Sequence, residues 1–460
     1  MTQKPSGTNL SLLQLQVPVP NMEENPPPSF RISSVVPATP TPQGDKNGEY
    51  HLGYMDLLMK LHYIRAVYFF STEAVQGLSI QELKNPMFTL LDPYAHLSGR
   101  IRLSESGSPF IKCNDAGVRI AESHCDKTLQ EWVHQNGYSS VEDLVHDHVL
   151  GPEVSFSPLV FFKFTYFQCG GLCVGLSWSH MLGDAFSAFN FITMWTKTVA
   201  GHVPPKSLPM PNQRETEVLH NSVFENPISL KRTTTVGEHW LAANDTKVVT
   251  HSFYLSPKQL VHLVTATSSC NEIQITKTSS YFEILSALVW KYISDIREDS
   301  GPKIVTICTY DTDRREDEFP TNGLVLSIVE ANVAAGSESD VSGLARLIAE
   351  KKMVENDAVK KLVEENEGKE DFIVYGANLT FVDLEKANFY GAKLNGQKPI
   401  LANCALHGVG DQGVVLVLPA GEDNEDDING RIITVSLSEK ELDQLKYKLG
   451  EEWGIASYPF

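Results

Sequence analysis

The alternation of apolar and polar positions separates a polar opening from a long globular body. Residues 1–29 are rich in Pro, Gln, Asn and Ser and end in Asn25-Pro26-Pro27-Pro28. That composition holds too little apolar surface to repay ordering, so it reads as a flexible N-terminal tail. From Phe30 the text changes: Ile32-Ser33-Ser34-Val35-Val36 reads as a strand, and Met55 to Ile64 carries apolar residues at helical spacing. Leu159 to Phe167 and Leu172 to Ser177 flank Cys169-Gly170-Gly171 and predict a hairpin. Beyond it Phe186, Phe189, Ile192, Trp195 and Val199 recur at three- and four-residue steps, the mark of an amphipathic helix. His180 to Asp184 therefore falls at a strand-to-helix junction.

Pro204, Pro205, Pro209 and Pro211 lie among polar residues in the stretch 201–225, the texture of an extended linker. In the body that follows, Ser256-Pro257-Lys258-Gln259 predicts a helix start, with Ser as cap, Pro in the first turn and Gln completing a capping box. A second helix is expected from Ser280 to Ile296. Strands are expected at Ile304 to Thr309, Leu324 to Val329, Val414 to Leu418 and Ile432 to Leu437. The fold class is thus α/β with mixed sheets. The expected organisation is a tail at 1–29, an N-terminal domain at 30–200, the linker at 201–225 and a C-terminal domain at 226–460, in keeping with a length that favours two domains.

Composition narrows the function. A 460-residue chain with 42% hydrophobic and 21% charged residues is globular, and its formal charge of -19 argues against a nucleic-acid partner, which requires a basic face. Seven cysteines without a Cys-x-x-Cys pair match neither a disulfide framework nor a zinc site, and a reducing compartment follows. The most apolar stretch, Ser157 to Trp178, is interrupted by Lys163, Gln168 and paired glycines, so no transmembrane segment is expected. The acidic run Glu422 to Asp427 reads as a solvated loop rather than a metal site. Gly408-Val409-Gly410-Asp411-Gln412-Gly413 has dinucleotide-motif spacing, but Val414-Val415-Leu416-Val417 behind it is strand-like. With no helix N-terminus to receive a phosphate, the glycines read as a hairpin turn.

The remaining candidate chemistry is His180-Met181-Leu182-Gly183-Asp184. A neutral imidazole at a strand-to-helix corner can act as a general base, taking the proton of a hydroxyl or amine that then attacks an acyl thioester. In a chain with fourteen histidines, His-x-x-x-Asp by itself carries little weight. Its surroundings carry more. Ser177-Trp178-Ser179 with His180 to Asp184, Leu97-Ser98-Gly99-Arg100, Cys113-Asn114-Asp115-Ala116-Gly117-Val118 and Ala287-Leu288-Val289-Trp290 together resemble the plant BAHD acyltransferases, in that family's order. The resemblance implies two similar-sized domains with a channel between them and acyl-CoA as substrate or ligand, with no permanently bound cofactor and no metal. It also implies His180 as general base and Asp184 as a structural residue turned away from substrate. An inter-domain arginine would pair with Asp184, with Arg314 the candidate and Arg315 beside it.

One segment departs from the family. Its Asp-Phe-Gly-Trp-Gly motif falls on Asn388-Phe389-Tyr390-Gly391-Ala392, where only the Phe is kept, and a rebuilt loop is expected there. Four further segments resemble one branch, the eceriferum and glossy proteins: Met55 to Phe70, Asp147 to Pro152, Tyr375 to Val382 and His407 to Asp411. That branch implies an accessory role in cuticular wax formation. The role is to promote elongation of very-long-chain acyl-CoAs beyond about C28, a chain whose apolar surface has to be sheltered from water. The implied partner is the β-ketoacyl-CoA synthase, the condensing enzyme of the fatty acid elongase, which would hold the protein at the cytosolic face of the endoplasmic reticulum. The altered motif then implies that His180 is an inherited, structural histidine. The alternative is an acyl-CoA-dependent O- or N-acyltransferase with His180 as base, and a third reading is a general acyl-CoA-binding protein without a partner.

Overall fold

Tyr63–Phe70 is a strand with all eight residues buried. Helical spacing over Met55 to Ile64 holds only for its first part. In the computed structural model the helix is Tyr54–Leu58, with Asp56 accepting from the Gly53 amide at 2.9 Å, and the chain is extended from Tyr63. A strand covered on both faces is apolar at nearly every position, so its apolar run imitates a helix until the β-branched and aromatic residues Tyr63, Ile64, Val67 and Tyr68 decide the matter. The structure describes residues 31–42, 48–136, 141–146, 154–208, 226–233, 247–267, 281–310, 319–331, 340–421 and 429–455. The tail at 1–29, most of the 201–225 linker, the segment Asp147 to Pro152, Arg314, Arg315 and the acidic run at 422–427 lie outside the described residues.

Tyr63–Phe70 belongs to a mixed six-stranded sheet in the order Arg31–Val35, Val118–Cys125, Val160–Phe167, Leu172–Ser179, Tyr63–Phe70, Leu401–His407. Its hairpin is the one the glycine turn predicts. Val160–Phe167 and Leu172–Ser179 pair antiparallel, and Gly170 takes a φ of 87° in the turn. The second sheet runs Val248–Leu255, Arg431–Ser438, Val414–Pro419, Leu379–Asp383, Ile304–Tyr310, Leu324–Glu330, Met353–Val354. Leu379–Asp383 lies parallel to both its neighbours there. The helices Pro257–Thr267 and Phe282–Arg297 form where expected. Ser256 caps the first of them, its Oγ accepting from the Gln259 amide while Gln259 Oε1 accepts from the Ser256 amide. The architecture is mixed α/β.

The glycine run after His407 is not a hairpin. Leu401–His407 closes the first sheet against Tyr63–Phe70, whereas Val414–Pro419 lies in the second, so Gly408 to Gly413 carries the chain from one sheet to the other. Gly408 and Gly413 have φ of 81° and 86°, a demand that a tight turn and a crossover make alike. The opposite crossing runs from Asp383 in the second sheet, through Asn388 to Ala392, to Leu401 in the first. Two passages of the C-terminal half therefore tie the sheets together.

A buried ion pair fastens the start of Tyr63–Phe70 to the approach of a short strand, Asp371–Ile373. Lys60 Nζ lies 2.7 Å from Asp371 Oδ1, with the side chains 3% and 2% exposed, and also donates to the Gly368 carbonyl at 2.8 Å. Burial lowers the Lys60 pKa, so the charge depends on the carboxylate beside it. Removing one partner leaves the other buried without its counter-charge. Lys60→Met is expected to cost about 3–5 kcal/mol, and Lys60→Met with Asp371→Leu to recover most of that, both read by denaturant unfolding.

Candidate functional site

Where Leu172–Ser179 ends, a single 3-10 turn, His180–Leu182, precedes the helix Ala185–Val199. Gly183 between them has a φ of 145°, and a Cβ there would come within 2.9 Å of the Ser187 Cβ. Asp184 caps the helix, its Oδ1 accepting from the Ser187 amide at 3.1 Å. Its Oδ2 accepts from the Gly323 amide at 2.8 Å, ahead of the strand Leu324–Glu330 in the second sheet. The carboxylate is fully buried, and its two oxygens accept on either side of this joint.

The strap Thr321-Asn322-Gly323 meets the turn at every residue. The Asp184 amide donates to the Thr321 carbonyl at 3.1 Å. Ser187 Oγ donates to that carbonyl at 3.0 Å and accepts from the Thr321 amide at 3.1 Å. Asn322 Nδ2 donates to the His180 carbonyl at 2.8 Å and to Asp56 Oδ1 at 2.7 Å. The turn is thus bound to the other sheet through main chain and short polar side chains. Arg314 and Arg315, the arginines expected beside Asp184, are not among the described residues.

His180 itself is fully buried. Its Nε2 lies 2.9 Å from the hydroxyl of Tyr375, whose own oxygen lies 3.4 Å from that of Tyr310. Burial lowers the His180 pKa, which favours the neutral ring. Burial likewise holds the Tyr310 and Tyr375 phenols well above their ordinary range. A second buried imidazole, His62, frames the pair. Its carbonyl accepts from the His180 amide at 3.1 Å, its Nε2 accepts from the Val374 amide at 3.1 Å, and its ring meets Tyr375 edge-on at 4.9 Å. Burial first, and the nearby His180 second, push the His62 pKa down to about 3.

Tyr375 is placed by the glycine crossover. Its carbonyl accepts from the Gly410 amide at 2.8 Å, and a Cβ on Gly376 would stand 2.5 Å from the Gly410 carbonyl oxygen. Two segments that stood out in the sequence, Tyr375 to Val382 and His407 to Asp411, therefore meet under His180. Sequence reasoning marked both segments and gave neither Tyr375 nor the strap Thr321 to Gly323 a place in the site. A lone tyrosine or a Thr-Asn-Gly tripeptide has no spacing to distinguish it.

The altered motif is a packing element. Phe389 is buried with its ring centroid 4.0 Å from that of Phe189, on the helix that Asp184 caps, and 6.2 Å from that of Tyr68 in the strand Tyr63–Phe70. Asn388 folds over Gly391, where a Cβ would lie 2.3 Å from its side-chain oxygen, so the Asn and the Gly belong together. Tyr390 and Ala392 are buried as well. Through Phe389 this loop packs on the helix that follows the His180 turn.

Comparison with known proteins places this geometry. The Transferase family model matches residues 30–451. The chain is 40% identical to Protein ECERIFERUM 2 of Arabidopsis thaliana over 438 residues, 92% of this chain and 98% of that protein. Its fold is similar to the crystal structure of vinorine synthase, with a TM-score of 0.66 at 19% identity over 92% of this chain and 97% of that one. It is also similar to that of F. graminearum TRI101 complexed with coenzyme A and deoxynivalenol, with a TM-score of 0.66 at 15% identity over 88% and 98%. At those identities the two structures speak for the fold, the two-domain acyltransferase architecture.

The site sets two stability expectations. Asp184→Ala removes an N-cap and leaves the half-buried Gly323 amide without its acceptor, a loss of about 3 kcal/mol in denaturant unfolding. Burial pushes the Asp56 pKa up to about 6, so the folded chain binds this proton more tightly than the unfolded one. Its contribution is full at low pH and is lost as pH rises from about 4 to about 6. Asp56→Asn is expected to flatten that decline in unfolding free energy measured across the interval.

Proposed function

Because the chain belongs to the Transferase family, as its resemblance to the BAHD acyltransferases implied, we propose that it is an accessory protein of very-long-chain acyl-CoA elongation rather than a working transferase. The observation that carries this reading is the engaged imidazole. The nitrogen a base needs faces the hydroxyl of Tyr375, in a site with no exposed surface on His180. The replacement of four of the five family-motif residues at Asn388 to Ala392 supports it further. Similarity to ECERIFERUM 2 along nearly the whole chain, together with the four branch-like segments, supports a part in wax elongation. Acyl-CoA is the ligand this reading assigns, supported by the coenzyme A bound in a protein of the same fold. Its partner is the condensing enzyme of the elongase, and the cytosolic face of the endoplasmic reticulum is where the two meet.

One observation favours the second reading, an acyl-CoA-dependent O- or N-acyltransferase. A buried, neutral imidazole at hydrogen-bond distance from a hydroxyl has the geometry of a general base with its acceptor. Yeast producing this protein with a plant condensing enzyme separates the two. Wild type is expected to shift the acyl-CoA profile to longer chains than the condensing enzyme makes alone, and His180→Ala to keep at least half of that shift. Loss of the shift in a His180→Ala protein that still folds sinks the accessory reading. No shift with wild type sinks the elongation assignment.

A further inference from the structure

The hydroxyl of Tyr375 stands where a substrate hydroxyl has to stand if His180 is to take its proton. A general base acts on a proton whose heavy atom lies about 2.6–3.2 Å away, and Tyr375 Oη is 2.9 Å from His180 Nε2. We propose that Tyr375 is a built-in occupant of the acceptor position, engaging the imidazole with an internal hydroxyl and so holding His180 out of acyl transfer. The proposal rests on the accessory reading above and names the residue responsible for it.

Whichever of the two groups donates, Nε2 is engaged by the phenol oxygen. The phenol is held on every side. Its ring is fully buried and meets the edge of His62, and its oxygen has a second partner in the Tyr310 hydroxyl at 3.4 Å. Its backbone is bonded to Gly410 and wedged there by Gly376, with a φ of 85° and no room for a side chain. Displacing Tyr375 therefore means moving a passage of chain that joins the two sheets, more than a rotamer change.

Removing the phenol opens an ordinary transfer step. An alcohol gives its proton to Nε2 as its oxygen attacks the thioester carbonyl carbon. The carbon–sulfur bond breaks, and the imidazolium returns the proton to the coenzyme A thiolate, leaving an ester and free thiol. Nothing is oxidised or reduced.

The test uses the full-length protein with stearoyl-CoA and dodecanol, reading thiol release together with ester formation by mass spectrometry. Wild type, Tyr375→Phe and Tyr375→Ala are compared, each with and without His180→Ala. Tyr375→Phe keeps the ring and removes one oxygen, so it preserves the test if the smaller side chain unfolds the chain. The expected result is wild type at background and a gain of at least about ten-fold in a Tyr375 variant, abolished by His180→Ala. Absence of a His180-dependent gain in the variants that keep the wild-type melting transition overturns the proposal, as does ester formation by wild type at the variant rate. The accessory reading is judged separately by chain-length profiles in yeast, so either claim can fail while the other stands.

Discussion

Both oxygens of the Asp184 carboxylate are committed, one to the first turn of its own helix and the other to the Gly323 amide of the second half of the chain. Most of what surrounds the imidazole depends on that arrangement. A buried carboxylate without donors is costly, so the strap Thr321 to Gly323 has to lie where the Gly323 amide reaches Asp184, and the His180 turn has to lie where its carbonyl reaches Asn322. The strap is part of the approach to one sheet, and the turn is the exit from the other. The joint between the sheets and the orientation of His180 are therefore one structural fact.

Two further residues pack around this joint. Tyr375 enters from beneath, on a loop that exists because Gly376 and Gly410 let two backbones touch. Phe389 enters from behind, filling the space between Phe189 and Tyr68. One residue engages the imidazole while the other stiffens the helix that follows it. Phe389 lies in one crossing between the sheets, and Tyr375 is bonded to the other through Gly410.

Sequence alone read much of this correctly, and its errors have identifiable physical causes. Ser256 and Gln259 announced a helix start because a capping box is local chemistry, complete within four residues. Cys169-Gly170-Gly171 announced a hairpin for the same reason. Met55 to Ile64 misled, since burial on both faces of Tyr63–Phe70 erases the alternation that marks a strand. Gly408 to Gly413 misled too, because positive φ is required equally by a turn that returns to its own sheet and a passage that leaves for another.

What the chain determined by itself was the set of local elements, the strand-to-helix corner that carries His180, and the family, through ordered segments spread along its length. Those follow from interactions between near neighbours and from residue identities at fixed spacing. What only the tertiary structure decided was the company His180 keeps. Tyr375 lies 195 positions away along the chain and Asn322 lies 142 away, and nothing in either neighbourhood points to an imidazole. Their meeting is set by the packing that brings the approach to Leu324–Glu330 and the Gly410 crossover against the His180 turn, a long-range geometry that no local pattern encodes.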